Sequence, residues 1–238
     1  MSDLTERGKQ IRRGTIDLAL ANGGYHWGGS FSCVEILIAL FDYVIREDDM
    51  FILSKGHSCW PYYVLLRERG FSPKLTGHPS MGNGVPFTTG SLGHGLPLGI
   101  GVALAKKIKD EPGRVFVLVG DGEIQEGTFW ESLLIAKQQK LTNIICIIDN
   151  NNIQGSGFIC HHIGQKVLLN SGWRHHVISD GHNIGELVNG LDSDFPVSLL
   201  VDANTVKGKG VSFMENSPEW HSKWLDKDLK EKAMEELK

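Results

Sequence analysis

Two short polar segments near the middle of the chain carry residue types that bind metal ions. Asp121 lies between two glycines after the apolar run 115–119, and Asn151 lies 30 residues further along (151 − 121), after the apolar run 144–148. One carboxylate, one amide oxygen and a nearby backbone carbonyl suit Mg²⁺, a hard cation that shares its oxygen ligands with phosphates. The pattern predicts a Mg²⁺ site, and a pair of ordinary turns after strands is the alternative.

The elements around these segments place Asp121 and Asn151 at one edge of a sheet. Both apolar runs predict buried strands, and residues 126–139 between them carry apolar side chains at helical spacing. A strand–helix–strand crossover is right-handed and makes its two strands parallel. Parallel strands end at a common carboxyl edge, where α/β sheets bind ligands. We predict an α/β fold with a mostly parallel sheet and helices on both faces, in one domain spanning residues 1–238.

The rest of the chain divides into shorter predicted elements. Apolar runs predict further strands at 50–53, 175–179 and 197–203. Periodicity and end signals predict helices at 4–21, 32–45, 60–69, 92–106, 184–191 and 225–238. Ser32 and Glu35 are typical of a capping box that starts the second of these helices. The segment 25–30 is predicted to form no element because of its glycines, 71–90 to be a functional loop, and the small-residue helix 92–106 to be buried.

Composition limits the classes of partner and compartment. The 24 basic and 28 acidic residues are scattered, so neither a nucleic-acid surface nor a membrane surface is expected. Residues 1–13 are charged, and no apolar run approaches the roughly 18 residues that span a bilayer. We expect a soluble, cytoplasmic protein. The four cysteines show no C-x-x-C spacing, which disfavours both disulfides and a zinc site.

Several motifs together resemble the thiamine-diphosphate-binding amino-terminal half of transketolase, and the resemblance covers nearly the whole chain. Its central element is the G-D-G segment followed after about thirty residues by N-N, the signature of thiamine-diphosphate enzymes. The other motifs occur in transketolase order: Tyr25-His26, Lys55-Gly56-His57, Gly77-His78-Pro79, Gly90-Ser91-Leu92-Gly93-His94-Gly95, Gln125-Glu126-Gly127 and Thr205-Val206-Lys207-Gly208-Lys209-Gly210, with His221 beyond.

The resemblance implies thiamine diphosphate as cofactor, held through Mg²⁺, or Ca²⁺ or Mn²⁺ in its place. The implied metal ligands are Asp121, Asn151 and the Ile153 carbonyl, and Gly122 would let the backbone approach the phosphate oxygens. The cofactor contacts implied in this sequence are His57, Gly90, Ser91, Leu92, Asp121, Gly122, Glu126, Asn151, Ile153 and His221.

The implied reaction moves a two-carbon ketol unit from a ketose donor to an aldose acceptor, and histidines are suited to its proton transfers near neutral pH. By resemblance, His57 contacts the cofactor, His26 and His221 serve proton transfer or binding at substrate hydroxyls, and His78 binds the donor. The histidines that match no motif are predicted to be surface or strand residues: His161, His162, His175, His176 and His182. For His94 the alternatives are a substrate contact and helix capping.

Two further pairs of charged residues can each be interpreted in two ways. In transketolases the residues matching Glu126 and Glu131 lie at the dimer interface, and helix capping is the alternative for this pair. Lys207 and Lys209 suit either phosphate binding or a solvated turn.

Transketolases normally continue into a pyrimidine-binding domain and a carboxyl-terminal domain, so the resemblance is to the first chain of a split transketolase. It implies a partner subunit carrying those two domains and an α2β2 heterotetramer acting on sugars or sugar phosphates. A relative resembling 1-deoxyxylulose-5-phosphate synthase and a non-catalytic module of the same fold are the alternatives. Departures from the family pattern, such as Tyr25 in place of a glycine, leave the sugar substrates open.

Overall fold

The computed structural model describes residues 5–159, 171–192 and 196–238. Cys160, His161 and His162, considered above, lie outside these residues. In chain order the strands are β1 (Met50–Leu53), β2 (Val115–Gly120), β3 (Ile144–Asn150), β4 (Ile153–Gln154), β5 (Gly157–Phe158), β6 (Arg174–Ile178) and β7 (Leu199–Asn204).

Five of these strands form one parallel sheet in the order β1-β2-β3-β7-β6, while β4 and β5 form a small antiparallel ribbon. β2 and β3 lie side by side at the centre, with Gly120 opposite Asp149. The predicted parallel pairing is therefore confirmed, and Asp121 and Asn151 both follow the carboxyl ends of neighbouring central strands.

Helices cover both faces of the sheet. They are α1 (Glu6–Ala21), α2 (Trp27–Ser32), α3 (Val34–Ile38), α4 (Trp60–Glu68), α5 (Gly95–Lys109), α6 (Gly127–Gln138), α7 (Ile184–Leu191) and α8 (Lys227–Glu236), and α3 runs on into a π-helical segment, Ala39–Val44. Phe116 and Leu118 of β2 pack into a core with α1 to α4, whereas Val117 and Val119 pack into a second core with α5 and α6. The predicted α/β fold is confirmed.

Most predicted helices and strands are present within a few residues of their predicted bounds, but the glycine-rich segment after α1 was predicted wrongly. Trp27–Ser32 forms a helix in which every residue is buried. Its glycines serve close packing, because a Cβ on Gly29 would lie 2.7 Å from the Ser58 Oγ. Tertiary burial stabilises this short helix despite its low propensity.

The predicted capping box is also wrong. Cys33 is the residue before α3 and its side chain makes no capping bond, while Ser32 ends α2 and donates to the Asp149 carboxylate at 2.5 Å. Glu35 instead forms an ion pair inside the core. The two side chains that suggested a local cap therefore bind distant partners.

The small-residue helix α5 buries only one of its faces. Gly99 packs against Val117 of β2, whereas Ile108 is 75% exposed. On the neighbouring α6, Leu134 and Ile135 are 63% and 45% exposed. The prediction of a buried helix therefore holds for one face only, and these two helices present apolar side chains to solvent.

A buried ionic cluster connects α1 and α3 with the turn between β6 and α7 and with the segment after β7. Arg12 donates to Glu35 at 2.6 and 2.9 Å, and both side chains are fully buried. His182 lies 2.8 Å from Glu35 through Nδ1, and its Nε2 accepts the backbone N–H of Val206 at 2.8 Å. Burial alone would raise the pKa of Glu35, but Arg12 and His182 hold it at about 2. His182 is thus a buried residue, and its predicted place on the surface or a strand was wrong.

Replacing Glu35 by alanine is expected to lower the free energy of unfolding by about 3–5 kcal/mol, because the Arg12 guanidinium would stay buried without its counter-ion. Chemical denaturation measures this change. Glu6→Ala is the matched control, since Glu6 pairs with Arg13 at 2.7 Å on the surface and an exposed pair adds little stability. Equal midpoints for the two variants would contradict the assigned importance of the cluster.

No helix in the described part of the chain is long and apolar enough to cross a membrane. Cys33, Cys59 and Cys146 are free and buried, as expected of thiols that take no part in disulfides.

Candidate functional site

The carboxyl edge of the sheet contains a cavity of about 210 Å³. Two short 3₁₀ turns bring histidines to it: Gly56–Ser58, directly after β1, carries His57, and Pro218–His221 carries His221. The residues that line the cavity come mostly from the ends of β1, β2 and β3 and from the loops that follow these strands: Gly29, Lys55, His57, Leu92, Gly120, Asp121, Gly122, Glu123, Asn151, Ile153, Gln154, Gly155, Ser156, Lys207 and His221. The cavity therefore gathers residues from motifs far apart in the sequence.

Asp121 and Asn151 meet in this cavity as the sequence predicted. The Asp121 carboxylate accepts the backbone N–H of Gly122 at 2.8 Å and that of Asn152 at 2.5 Å. Asn151 accepts the Ile153 N–H through Oδ1 at 3.2 Å and donates Nδ2 to the Asp149 carboxylate at 3.2 Å. Backbone N–H groups therefore hold the oxygens of both side chains in place. Burial, and then the nearby charge of Asp149, raise the pKa of Asp121 to about 6.

The Ile153 carbonyl accepts a hydrogen bond from the Lys207 ammonium at 2.6 Å. Lys207 is 2% exposed, and it lies 3.0 Å from Nδ1 of His221. The alternative prediction, that Lys207 belongs to a solvated turn, was wrong. Burial, and then the neighbouring charge of Lys55, lower the pKa of Lys207 to about 8. The carbonyl oxygen has a second lone pair, and together with the Asp121 and Asn151 oxygens it matches the ligand types that Mg²⁺ prefers.

A metal ion at the carboxyl edge of the sheet would have few charged protein ligands. Over the described ranges, no group of three or more His, Cys, Asp and Glu could hold a metal ion by itself. The predicted ligand set contains one carboxylate, one amide oxygen and one carbonyl oxygen, so it leaves positions for the oxygens of a phosphate.

A buried ion pair under the cavity was not predicted as part of the site. Lys55 pairs with Asp149, and its ammonium also donates to the Gly29 carbonyl at 3.0 Å. Asp149 accepts the hydroxyls of Ser32 and Thr205 as well. Burial opposes charge on both partners, but each raises the charged fraction of the other, so the pKa of Lys55 is raised and that of Asp149 is lowered. In the sequence, the position of Lys55 directly before Gly56-His57 was the signal that could have identified it as part of the site.

Glu123 is a second unpredicted buried group in the cavity wall. One carboxylate oxygen accepts a hydrogen bond from the Ser54 hydroxyl and another, at 2.8 Å, from the Gly93 N–H. The other carboxylate oxygen accepts the Gly120 N–H at 3.0 Å. Burial raises its pKa above the ordinary value for glutamate. Glu123 thereby joins the ends of β1 and β2 to the glycine-rich segment before α5, and only the contacts in the folded chain identify this function.

Three of the predicted histidines form a cluster beside the cavity. The ring centroids of His26 and His57 are 5.4 Å apart, those of His57 and His221 are 5.4 Å apart, and those of His26 and His221 are 5.8 Å apart. The structure therefore brings together residues 26, 57 and 221 from the amino-terminal, central and carboxyl-terminal parts of the chain.

All three histidines have a lowered pKa, chiefly because burial disfavours the imidazolium. The pKa of His26 falls to about 4, with smaller effects of His78 and Lys207, and that of His221 falls to about 4, with Lys207 the next cause. The pKa of His57 lies well below its ordinary value through burial and then the charge of Lys55. At neutral pH each ring is neutral and offers one donor and one acceptor nitrogen.

Other predicted residues lie around the cavity without lining it. His78 is exposed, its carbonyl accepts the Tyr63 hydroxyl at 2.9 Å, and its ring packs against Gly90 so closely that a Cβ there would lie 2.8 Å away. Gly90 also has φ +136°, which an L side chain rarely adopts. Ser91 is exposed next to Leu92, which does line the cavity.

Two residues at helix starts lie on the surface. Glu126 precedes α6 and is exposed, packing its Cβ region against Gly93. His94 precedes α5 but its side chain makes no capping bond, and its Nδ1 lies 3.2 Å from the Leu92 carbonyl. Glu131 is exposed on α6. Neither Glu126 nor Glu131 contributes to the cavity lining.

A parallel α/β sheet with a cavity at the carboxyl ends of its strands is the arrangement in which α/β proteins bind ligands. Residues 6–237 match the family model described as transketolase, thiamine diphosphate binding domain. The chain therefore belongs to the transketolase family of transferases, as its thiamine diphosphate-binding part.

Similar proteins include separately encoded subunits and also longer transketolases. An apulose-4-phosphate transketolase subunit from Actinobacillus succinogenes is 39% identical, and the alignment covers 99% of this chain and 96% of that protein. The 6-deoxy-6-sulfo-D-fructose transketolase subunit SqwG of a Clostridium strain is 32% identical, with 99% and 96% covered. The crystal structure of Campylobacter jejuni transketolase matches with a TM-score of 0.85 at 25% identity. The match covers 98% of this chain and 42% of the Campylobacter jejuni chain. The chain thus spans nearly the length of the two subunits and less than half of that transketolase.

Proposed function

We propose that the chain is the thiamine-diphosphate-binding and Mg²⁺-binding subunit of a two-chain transketolase that transfers a two-carbon ketol unit from a ketose to an aldose. The observation that carries this proposal is the convergence of Asp121, Asn151 and the Ile153 carbonyl in one cavity with His57 and His221. Oxygen ligands for a metal and neutral rings for proton transfer are two features that such chemistry requires of the protein.

The diphosphate end of the cofactor would be held by positive charge and by close backbone approach. Asp121, Asn151 and the Ile153 carbonyl would coordinate Mg²⁺, which in turn binds phosphate oxygens. Lys207 lies against the same carbonyl, so it would add a second positive charge near those oxygens. Gly122 has no side chain between its backbone and the cavity, and a Cβ there would lie 2.7 Å from that of Gln154.

Thiamine diphosphate supplies an electron sink for breaking and forming the carbon–carbon bond. His57 would contact the cofactor, while His26 and His221 would exchange protons with sugar hydroxyls through their ring nitrogens. Lys207 lies beside Nδ1 of His221, which leaves Nε2 of that ring for the substrate. Burial is the main cause of the lowered pKa values of these rings, and the charge of Lys207 adds to it at all three. A bound anion that partly neutralises Lys207 would let the histidines hold protons more readily.

A second chain would complete the active site. The relatives named as transketolase subunits match this chain over almost their entire length, which supports a partner encoded separately. The exposed apolar side chains of α5 and α6, including Ile108 and Leu134, would be covered by assembly. We propose that the partner carries the pyrimidine-binding and carboxyl-terminal domains and that two copies of each chain associate.

The choice of donor tests the reaction type. The complex of the two chains is mixed with thiamine diphosphate, Mg²⁺, an aldose and either a ketose or pyruvate, and the products are identified by mass spectrometry. A product two carbons longer than the acceptor, formed from the ketose without loss of CO₂, is expected. Product formation only from pyruvate, with CO₂ release, would favour the synthase-like alternative, and no reaction with either donor would favour a non-catalytic module.

Alanine at either His57 or His221 is expected to lower the turnover of the assembled enzyme by about 10²–10⁴-fold, the range typical of acid–base groups. Cofactor affinity should fall much less, because the metal ligands remain. His176→Ala is the control, since His176 lies on β6 outside the cavity lining. Steady-state kinetics measures turnover, and calorimetry measures cofactor affinity. Unchanged turnover of either variant would show that this histidine has only a structural role.

A further inference from the structure

Tyr25 lies on the solvent side of the histidine cluster, and the proposed chemistry does not use it. Its ring centroid is 4.5 Å from that of His26, with the two planes 32° apart, and its side chain is 45% exposed. His26 is partly buried and neighbours His57. Tyr25 is therefore the more exposed member of the Tyr25–His26 ring pair.

The backbone at Tyr25 is fixed to the loop that carries His221. The Tyr25 carbonyl accepts the Lys223 N–H at 3.1 Å, and the indole N–H of Trp27 donates to the Lys223 carbonyl at 2.9 Å. Trp27 is fully buried at the start of α2. These two hydrogen bonds hold the Tyr25 backbone beside the cluster before any substrate binds, which reduces the entropy lost on binding.

A tyrosine ring is suited to the carbon skeleton of a sugar more than to a charged substituent. Its faces are apolar, and its hydroxyl can donate or accept one hydrogen bond. The ammonium of Lys223, whose backbone binds the Tyr25 carbonyl, is already engaged by the Glu219 carboxylate at 2.9 Å and lies 5.0 Å from the Trp220 ring centroid. The Lys223 charge is therefore balanced by Glu219, and the exposed Tyr25 ring offers an aromatic contact surface.

We propose that Tyr25 is a specificity-determining residue, whose ring packs against the sugar carbons that lie beyond the reacting carbonyl. This inference rests on the proposed function, because it takes the reacting carbons to lie among His26, His57 and His221. The remaining carbons of a four- or five-carbon aldose extend from there toward solvent and reach Tyr25. A two-carbon aldehyde ends before the ring. Tyr25 thus selects long acceptors over short ones.

The test measures kcat/KM of the assembled two-chain enzyme for aldoses of two, three, four and five carbons with one ketose donor. The four- and five-carbon acceptors are used with and without a terminal phosphate. Tyr25→Ala is expected to lower kcat/KM about tenfold for the long acceptors, phosphorylated or not, and less than about twofold for the two-carbon aldehyde. Tyr25→Phe should keep most of the preference because it retains the ring.

Tyr43→Ala is the matched control, because Tyr43 is a 64% exposed tyrosine on the π-helical segment, and it should leave the acceptor profile unchanged. An equal loss for every acceptor would assign Tyr25 to support of His26 and overturn the proposal. An unchanged profile, or a gain for long acceptors, would overturn it as well. If the wild-type complex transfers no ketol unit, the proposed function fails and this inference fails with it, whereas transfer with an unaltered profile rejects this inference alone.

Discussion

Replacement of Asp121 by alanine is expected to abolish metal-dependent binding of thiamine diphosphate, lowering the cofactor affinity by more than about 100-fold. Loss of an outer partner of a metal ligand already lowers affinity or activity by 10–100-fold, and Asp121 supplies the carboxylate of the proposed ligand set. Calorimetry with thiamine diphosphate in the presence of Mg²⁺ measures the change. A parallel titration with EDTA shows how much binding in the wild type depends on metal.

The fold should survive this substitution. Asp121 follows the end of β2, and its removal opens no apolar cavity. The N–H groups of Gly122 and Asn152 lose their acceptor, but the costs of burying the carboxylate and of its repulsion by Asp149 are relieved. Asp17→Ala is the matched control, because Asp17 is an exposed carboxylate on α1 paired with Lys230 at 2.7 Å. Cofactor affinity of Asp121→Ala equal to that of the control would rule out Asp121 as a ligand.

Without its partner, the chain is expected to show no ketol transfer. Thiamine chemistry of this family requires a carboxylate facing the pyrimidine ring, and by resemblance that carboxylate belongs to the pyrimidine-binding domain. A coupled ketol-transfer assay on the chain alone and on the co-expressed complex measures the difference. Light scattering of the complex should give the mass of two copies of each chain.

Double substitution of Leu134 and Ile135 by serine provides the control for assembly. Both side chains are exposed on α6, so the variant should fold normally while its association weakens. Full activity of the isolated 238-residue chain would contradict the two-chain proposal, and so would a fully active complex containing one copy of each chain.

The central strands and their ligating residues could be predicted from sequence because each depends on a local pattern. The runs 115–119 and 144–148 are apolar throughout, and a crossover helix between them leaves one topology. The structure accordingly places β2, α6 and β3 within two residues of prediction. Asp121 and Asn151 follow these strands directly, so the carboxyl-edge rule is sufficient to bring them together.

The residues that were missed depend on contacts between distant segments. Lys207 lies in a Lys-Gly-Lys-Gly segment typical of a solvated turn, and it is buried because it meets Gly28 and the Ile153 carbonyl. His182 is in no motif, and its function follows from Glu35, 147 residues away. No local pattern reports such pairings. The helix Trp27–Ser32 was missed for the same reason, since its burial outweighs its glycines.

The position of the metal tests the account most directly. Crystals of the two-chain complex grown with thiamine diphosphate and Mn²⁺ in place of Mg²⁺ would locate the ion by its anomalous scattering. We predict one peak per copy of this chain, about 2.0–2.4 Å from the Asp121 carboxylate, the Asn151 Oδ1 and the Ile153 carbonyl, the distance range of hard divalent cations and oxygen, with the diphosphate on its other side. A cofactor bound elsewhere, or a metal that touches neither Asp121 nor Asn151, would contradict the proposed site.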